Sequence, residues 1–189
     1  MAETKAVSLE DVKKLRDMTG AGMMDCRKAL EDSGGDLDGA VVLLRERGIA
    51  QAAKRSGRRT SNGIVDAYLH RTGDYPPQVG AMLELNCESD FVAKGDDFRK
   101  LARELCLHIA GAAPRWISRD DVPAEVLEQE RDSIPDGQVE TFYKENCLLE
   151  QPFIRDPSMP IADLIAHTVA KVQENITVRR FSRFSVKEA

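Results

Sequence analysis

The residues of this chain best placed to act on another molecule form the run Cys87-Glu88-Ser89-Asp90-Phe91-Val92-Ala93-Lys94-Gly95-Asp96-Asp97. The run follows an alternating apolar segment and precedes a helical one. Strand-to-helix corners are exposed positions on a rigid scaffold, and binding residues concentrate there. Phe91 is a large apolar side chain among acidic and small ones, and two roles fit it equally. The ring can tuck under the helix start as a hydrophobic staple while Ser89 or Asp90 caps the first turn. Alternatively it protrudes as a wedge beside a carboxylate and parts the side chains of a partner. In both cases the chemistry is contact, not bond-making.

Catalytic constellations are missing. No glycine is followed by lysine, which excludes a phosphate-cradling Walker loop. There is no GxSxG elbow, no HExxH and no calcium loop. His70, His108 and His167 are isolated from one another, and His108 lies one step from the apolar stripe of a helix, the ordinary setting of a buried, hydrogen-bonded imidazole. Cys26, Cys87, Cys106 and Cys147 contain no CxxC pair, so neither a zinc site nor a disulfide framework is indicated. The expectation is a non-enzyme with reduced thiols, no metal and no cofactor, working in the cytoplasm.

The composition agrees. With 42% hydrophobic and 31% charged residues and a net charge of −5, the chain is too apolar to be disordered. The longest uncharged stretch, Leu105–Pro114, is far short of the ~20 apolar residues of a membrane span. Met1–Leu9 has no signal-peptide pattern, so neither a membrane protein nor a secreted precursor is expected. Charge is unevenly spread. Arg45–Arg59 holds six basic residues and one acidic, whereas Trp116–Glu150 holds ten acidic and three basic. The basic run raises an alternative function, a small helical module that clamps nucleic-acid phosphates. No aromatic residue interleaves with it, so a base-stacking platform is unsupported, and a solvated helix or linker with no direct nucleic-acid contact is preferred.

Positioning the 87–97 corner requires a scaffold, and its elements are legible. Residues 8–49 read as three short helices. Ser8 caps the first, in which Leu9, Val12, Leu15 and Met18 recur at helical spacing until Thr19-Gly20-Ala21-Gly22 breaks it. The second spans Met23–Asp32. The third starts at Asp36 and ends at Arg47, closed by Gly48. Three helices in so short a stretch make a marginal core that needs a neighbour or a partner for part of its burial. Gly63–Arg71 and Gln78–Glu88 alternate as strands around the turn-rich Thr72–Pro77 and predict an antiparallel hairpin. A long helix carries Phe98, Leu101, Leu105 and Ile109 up to Pro114. Short helices fit Pro123–Asp132 and Gln138–Asn146, another follows from Ile161 to Val172, and Ile176–Val186 reads as a third strand that pairs back to the hairpin.

Two motifs resemble bacterial elongation factor Ts, the family of nucleotide exchange factors for elongation factor Tu. One is Leu15-Arg16-Asp17-Met18-Thr19-Gly20-Ala21-Gly22-Met23-Met24-Asp25-Cys26-Arg27-Lys28-Ala29-Leu30. The other is Glu84-Leu85-Asn86-Cys87-Glu88-Ser89-Asp90-Phe91-Val92-Ala93-Lys94. Cys147–Phe153 and Asn175–Phe184 are similar to the family as well. The resemblance implies an α+β protein: an N-terminal three-helix ubiquitin-associated-like domain (1–51), a basic linker (52–61), and a core and dimerisation domain (62–189) with a three-stranded antiparallel sheet packed with helices. It implies that Arg16, Met23 and Met24 touch the nucleotide-binding domain of elongation factor Tu. It also implies that Asp90, Phe91, Val92 and Ala93 intrude beside the magnesium site of that partner, favouring the wedge. The family usually has Thr at the position of Ser89; either residue can cap. Longer members carry a second core half that 189 residues do not accommodate, so the resemblance is to the short form, in which two chains pair.

Overall fold

The computed structural model describes residues 7–131 and 139–186. Residues 1–6, 132–138 and 187–189, including the helix ends expected at Asp132 and Gln138, lie outside the described residues. The fold is α+β, and the chain divides into two compact units: Met1–Arg58 with Ala166–Asn175, and Arg59–Ile165 with Ile176–Ala189.

The first unit is helical. α1 (Leu9–Thr19) starts at Ser8, whose hydroxyl accepts from the Asp11 amide at 3.0 Å. It ends at Gly20, whose φ of 68° is a left-handed cap that glycine adopts at little cost. α2 (Met23–Asp32) and α3 (Leu37–Arg55) follow, and the Asp36 side chain accepts from the amides of Asp38 and Gly39 at the start of α3. Val12, Leu15, Cys26, Ala29, Leu30 and Ala40 form the buried core. Leu9 and Met18, expected on the apolar row of α1, are instead exposed. The spacing puts them on that row, but only its middle members, Val12 and Leu15, meet the core.

The third helix is longer than the sequence suggested. It does not end at Arg47 but continues through Gly48 to Arg55. Gly48 is buried, and a Cβ added there would lie 3.5 Å from Ala170 Cβ and 3.7 Å from the His167 ring. Glycine at this position admits a close neighbour instead of closing the helix, and residues 166–175 supply burial that the three helices lack. Two basic residues of α3 are engaged within the unit: Arg47 is bonded to Asp32, and Arg55 to Gln173 and to the Gln51 carbonyl.

The second unit is built on a sheet of order β1-β2-β5, all antiparallel, from β1 (Asn62–His70), β2 (Val79–Cys87) and β5 (Ile176–Ser185). Between β2 and β5 come α4 (Asp90–Lys94), α5 (Asp96–Ala112), α6 (Ala124–Arg131), α7 (Val139–Asn146), a small hairpin of β3 (Pro152–Phe153) and β4 (Asp156–Pro160), and α8 (Ile161–Val172). Ala81, Leu83, Leu85 and Cys87 on one face of β2 are buried, as are Phe98, Leu101, Leu105 and Ile109 of α5. Each Leu, Ile or Phe among them contributes ~1.5–3 kcal/mol of burial. Towards the β1–β2 turn the other face of the sheet is apolar too, yet open, while its far end carries the Glu84–Arg180 ion pair. Leu69, Gly80 and Phe184 share one cross-strand row, and Ala67, Met82 and Ser182 share the next. Phe184 is 75% exposed. Among the described residues no helix is long and apolar enough to cross a membrane.

His108 of α5 is fully buried. Its Nδ1 accepts from the Ile154 amide at 3.3 Å, so the ring proton sits on Nε2 and is donated to Gln151 Oε1 at 2.9 Å. Burial holds its pKa below the usual 6.5, against a smaller opposing effect of the Gln151 bond. The unfolded chain therefore binds the extra proton first. The stabilisation is complete above the ordinary histidine value and is lost as pH falls through the depressed one, at about 1.4 kcal/mol per unit of depression. Urea midpoints of the wild type are expected to fall between pH 7 and pH 5 more steeply than those of His108→Gln. Parallel slopes would show that the imidazole does not titrate this way.

Candidate partner-binding site

The 87–97 corner is built from three local bonds. Cys87, the last residue of β2, directs its thiol to the Ser89 carbonyl at 3.1 Å. Asn62, the first residue of β1, donates from Nδ2 to the Glu88 carbonyl at 2.7 Å. Ser89 is extended, and its hydroxyl accepts from the Val92 amide at 3.3 Å, capping α4. One turn later Gly95 ends α4 and begins α5.

On so short a helix the side chains divide sharply. Val92 and Ala93 are buried and hold the turn to its own protein. Phe91 is 84% exposed, so it is not a staple: the ring projects away from the core. Asp90 is exposed and bonded to Lys94 at 2.7 Å, one helical turn on. The hydrogen bond from Lys94 is the main cause of the lowered Asp90 pKa, so the carboxylate beside the ring is ionised at neutral pH. The corner thus presents an apolar ring and a negative charge on a buried footing.

The N-terminal candidates lie in the helical unit. Arg16 is exposed on the last turn of α1, and its carbonyl receives the Gly20 amide at 2.7 Å. Met24 is 76% exposed at the start of α2. Met23 does not face solvent alike: it is half-buried against the helical core. Met18, which the spacing puts on the apolar row of α1, joins Met24 among the exposed methionines. The open sheet face has a sequence signal too, the apolar residues on both faces of β1, though its exposure is visible only in the structure.

The remaining reactive groups are quiet. None of the four cysteines is in a disulfide and all are buried, and burial pushes the thiols of Cys106 and Cys147 up to about 12 and about 11. Among the described residues no group of His, Cys, Asp and Glu is arranged to hold a metal ion.

Comparison with known proteins decides what the corner belongs to. A family profile described as elongation factor TS matches residues 46–188. Elongation factor Ts of Thermoanaerobacter sp. (strain X514) is 49% identical over 195 aligned residues, covering 94% of each chain. The chain belongs to the elongation factor Ts family. Elongation factor Ts of Carboxydothermus hydrogenoformans is 44% identical, covering 96% of this chain and 90% of its own. That of Fervidobacterium nodosum is 43% identical, covering 96% and 99%. As a member of the short bacterial form of elongation factor Ts, the chain is a nucleotide exchange factor whose partner is elongation factor Tu. Exchange makes and breaks no covalent bond, and the chain is not an enzyme.

Proposed function

We propose that the chain accelerates GDP release from elongation factor Tu by inserting Phe91 beside the magnesium site of the nucleotide pocket. The observation that carries this reading is the ring itself, 84% exposed on a capped turn whose footing, Val92 and Ala93, is buried. The physical logic is reciprocal coupling. A factor that binds nucleotide-free elongation factor Tu more tightly than the GDP form must weaken GDP by the same ratio. Each tenfold of that ratio needs ~1.4 kcal/mol of differential contact, and a buried aromatic hot spot supplies ~2 kcal/mol or more. Asp90 adds a negative charge near a cation-binding site, while Arg16, Met23 and Met24 of the helical domain (1–51) hold the nucleotide-binding domain. The residues between α3 and β1 serve as linker, and the sheet-bearing unit, without residues 166–175, serves as core and dimerisation domain, all acting in the cytoplasm.

The test is stopped-flow release of a fluorescent GDP from elongation factor Tu, with and without the chain. Acceleration is the expected result; binding without acceleration would reduce the chain to a passive helper. Asp90→Ala is expected to cost less than about fivefold, because an exposed pair contributes ~0–1 kcal/mol. A loss larger than that of Phe91→Ala would move the mechanism from the ring to the charge.

A second copy of the chain is the proposed occupant of the open sheet face. Leu69, Met82, Phe184 and Val186 are all more than half exposed there, and a flat apolar patch of this kind marks an interaction surface. An antiparallel sheet offers itself to a two-fold axis, which sets the same patch against itself. The nucleic-acid alternative has less to work with, since Arg47 and Arg55 already bond within the helical unit. A titration with RNA showing steeply salt-dependent affinity would revive it.

A further inference from the structure

We infer that Asn62 is a positioning residue for exchange, one that fixes the approach of Phe91 through the bond it donates to the Glu88 carbonyl; the inference rests on the wedge reading above. Asn62 is far from Phe91 in sequence but adjacent to its corner in the sheet. It opens β1, pairs with Cys87 at the end of β2, and reaches one residue beyond the ladder to bond Glu88 at 2.7 Å. It is half-buried and carries an amide donor aimed at its own backbone, so it acts through the corner and not on the partner.

Gly63 makes that reach feasible. A Cβ at position 63 would lie 2.3 Å from the Leu85 carbonyl oxygen, 2.5 Å from Asn86 Oδ1 and 2.8 Å from Asn86 Cα. Any side chain there must drive β1 away from β2, because the backbone oxygen it meets cannot yield. The missing Cβ lets the strands close just where Asn62 bonds to Glu88. Two neighbouring residues therefore serve one carbonyl, and that carbonyl stands three residues before the ring. The Cys87 thiol and the Ser89 cap hold the following steps of the same corner. A ring that must enter a partner's pocket gains from a fixed starting geometry, since ordering it during binding would subtract from the coupling.

The experiment is the GDP-release assay at rising concentrations of full-length chain, read as a maximal rate and a half-saturating concentration. It compares wild type, Asn62→Ala, Phe91→Ala and the double variant, each checked for folding by circular dichroism. Asn62→Ala is expected to lower the maximal rate about fivefold, the usual weight of one such bond, with the half-saturating concentration changed by less than about twofold. The double variant is expected to be no slower than Phe91→Ala alone, because Asn62 has nothing left to position. If Asn62→Ala melts, Asn62→Asp, which keeps the size and lacks the donor, takes its place. A wild-type maximal rate in the Asn62 variants, or losses that multiply in the double variant, overturns the inference while leaving the wedge intact. A wild-type rate for Phe91→Ala overturns the wedge itself, and this inference with it.

Discussion

Phe91→Ala is expected to slow stimulated GDP release by about 30-fold or more while leaving the melting temperature unchanged. The size follows from the ~2 kcal/mol or more that a central aromatic contributes to an interface, at ~1.4 kcal/mol per decade. The unchanged stability follows from the ring being 84% exposed: removing it opens no cavity. The helix cap is untouched, since Ser89 bonds to the Val92 amide and not to the ring. Stopped-flow release and a thermal melt on the same sample test both halves. Release at the wild-type rate would refute the wedge. A large fall in melting temperature would mean that the ring packs on its own protein after all.

The second large effect is expected at the sheet. Met82→Glu should raise the dissociation constant of the proposed pair by about a thousandfold or more. Met82 lies at the centre of its cross-strand row, between Ala67 and Ser182. A two-fold interface uses the same patch twice, so one substitution buries two carboxylates of like charge. Each unpaired charge taken from water costs several kcal/mol, and ~1.4 kcal/mol is a factor of ten. The monomer should fold normally, because Met82 is exposed and its neighbours Ala81 and Leu83 keep the buried face intact. Sedimentation velocity at matched concentrations reads the outcome. A monomeric wild type would dispose of the pairing, and a variant that still pairs would place the contact on another face.

Much of this architecture is written locally. Ser8 and Asp36 announce helix starts by residue type, and both accept backbone amides where the spacing says they should. The alternation in β2 is a two-residue period, so its buried face could be read without knowing what covers it. Positions whose role depends on distant residues were harder. Gly48 has the local signature of a helix end, but Ala170 and His167 make it a contact point inside a longer helix. Met18 continues a helical row that has no wall to meet. In β1, Val65, Ala67 and Leu69 looked as eligible for the core as Ile64 and Tyr68, because sheet geometry allots faces but does not say which face a helix will cover.

The site divides along the same line. The corner and its cap were legible, since Ser89 precedes a short run that can turn. The direction of the ring was not: staple and wedge require the same residues in the same order. They differ only in how the turn is rotated. That rotation is set by the burial of Val92 and Ala93 and by bonds from Asn62 and Cys87. Asn62 left no local signal, because its partner carbonyl is 26 residues away.

The sealed sulfurs have a practical bearing on all these measurements. Every native thiol is out of solvent, and those of Cys106 and Cys147 are held well above the ionisation range of a reactive cysteine. A dye that attacks thiolates thus finds no foothold on the folded wild-type chain. One cysteine introduced at a solvent-facing position, such as Lys94 on the turn that carries Phe91, would accept a single reporter without stripping the natural four, and the arrival of the ring at its target could be followed directly.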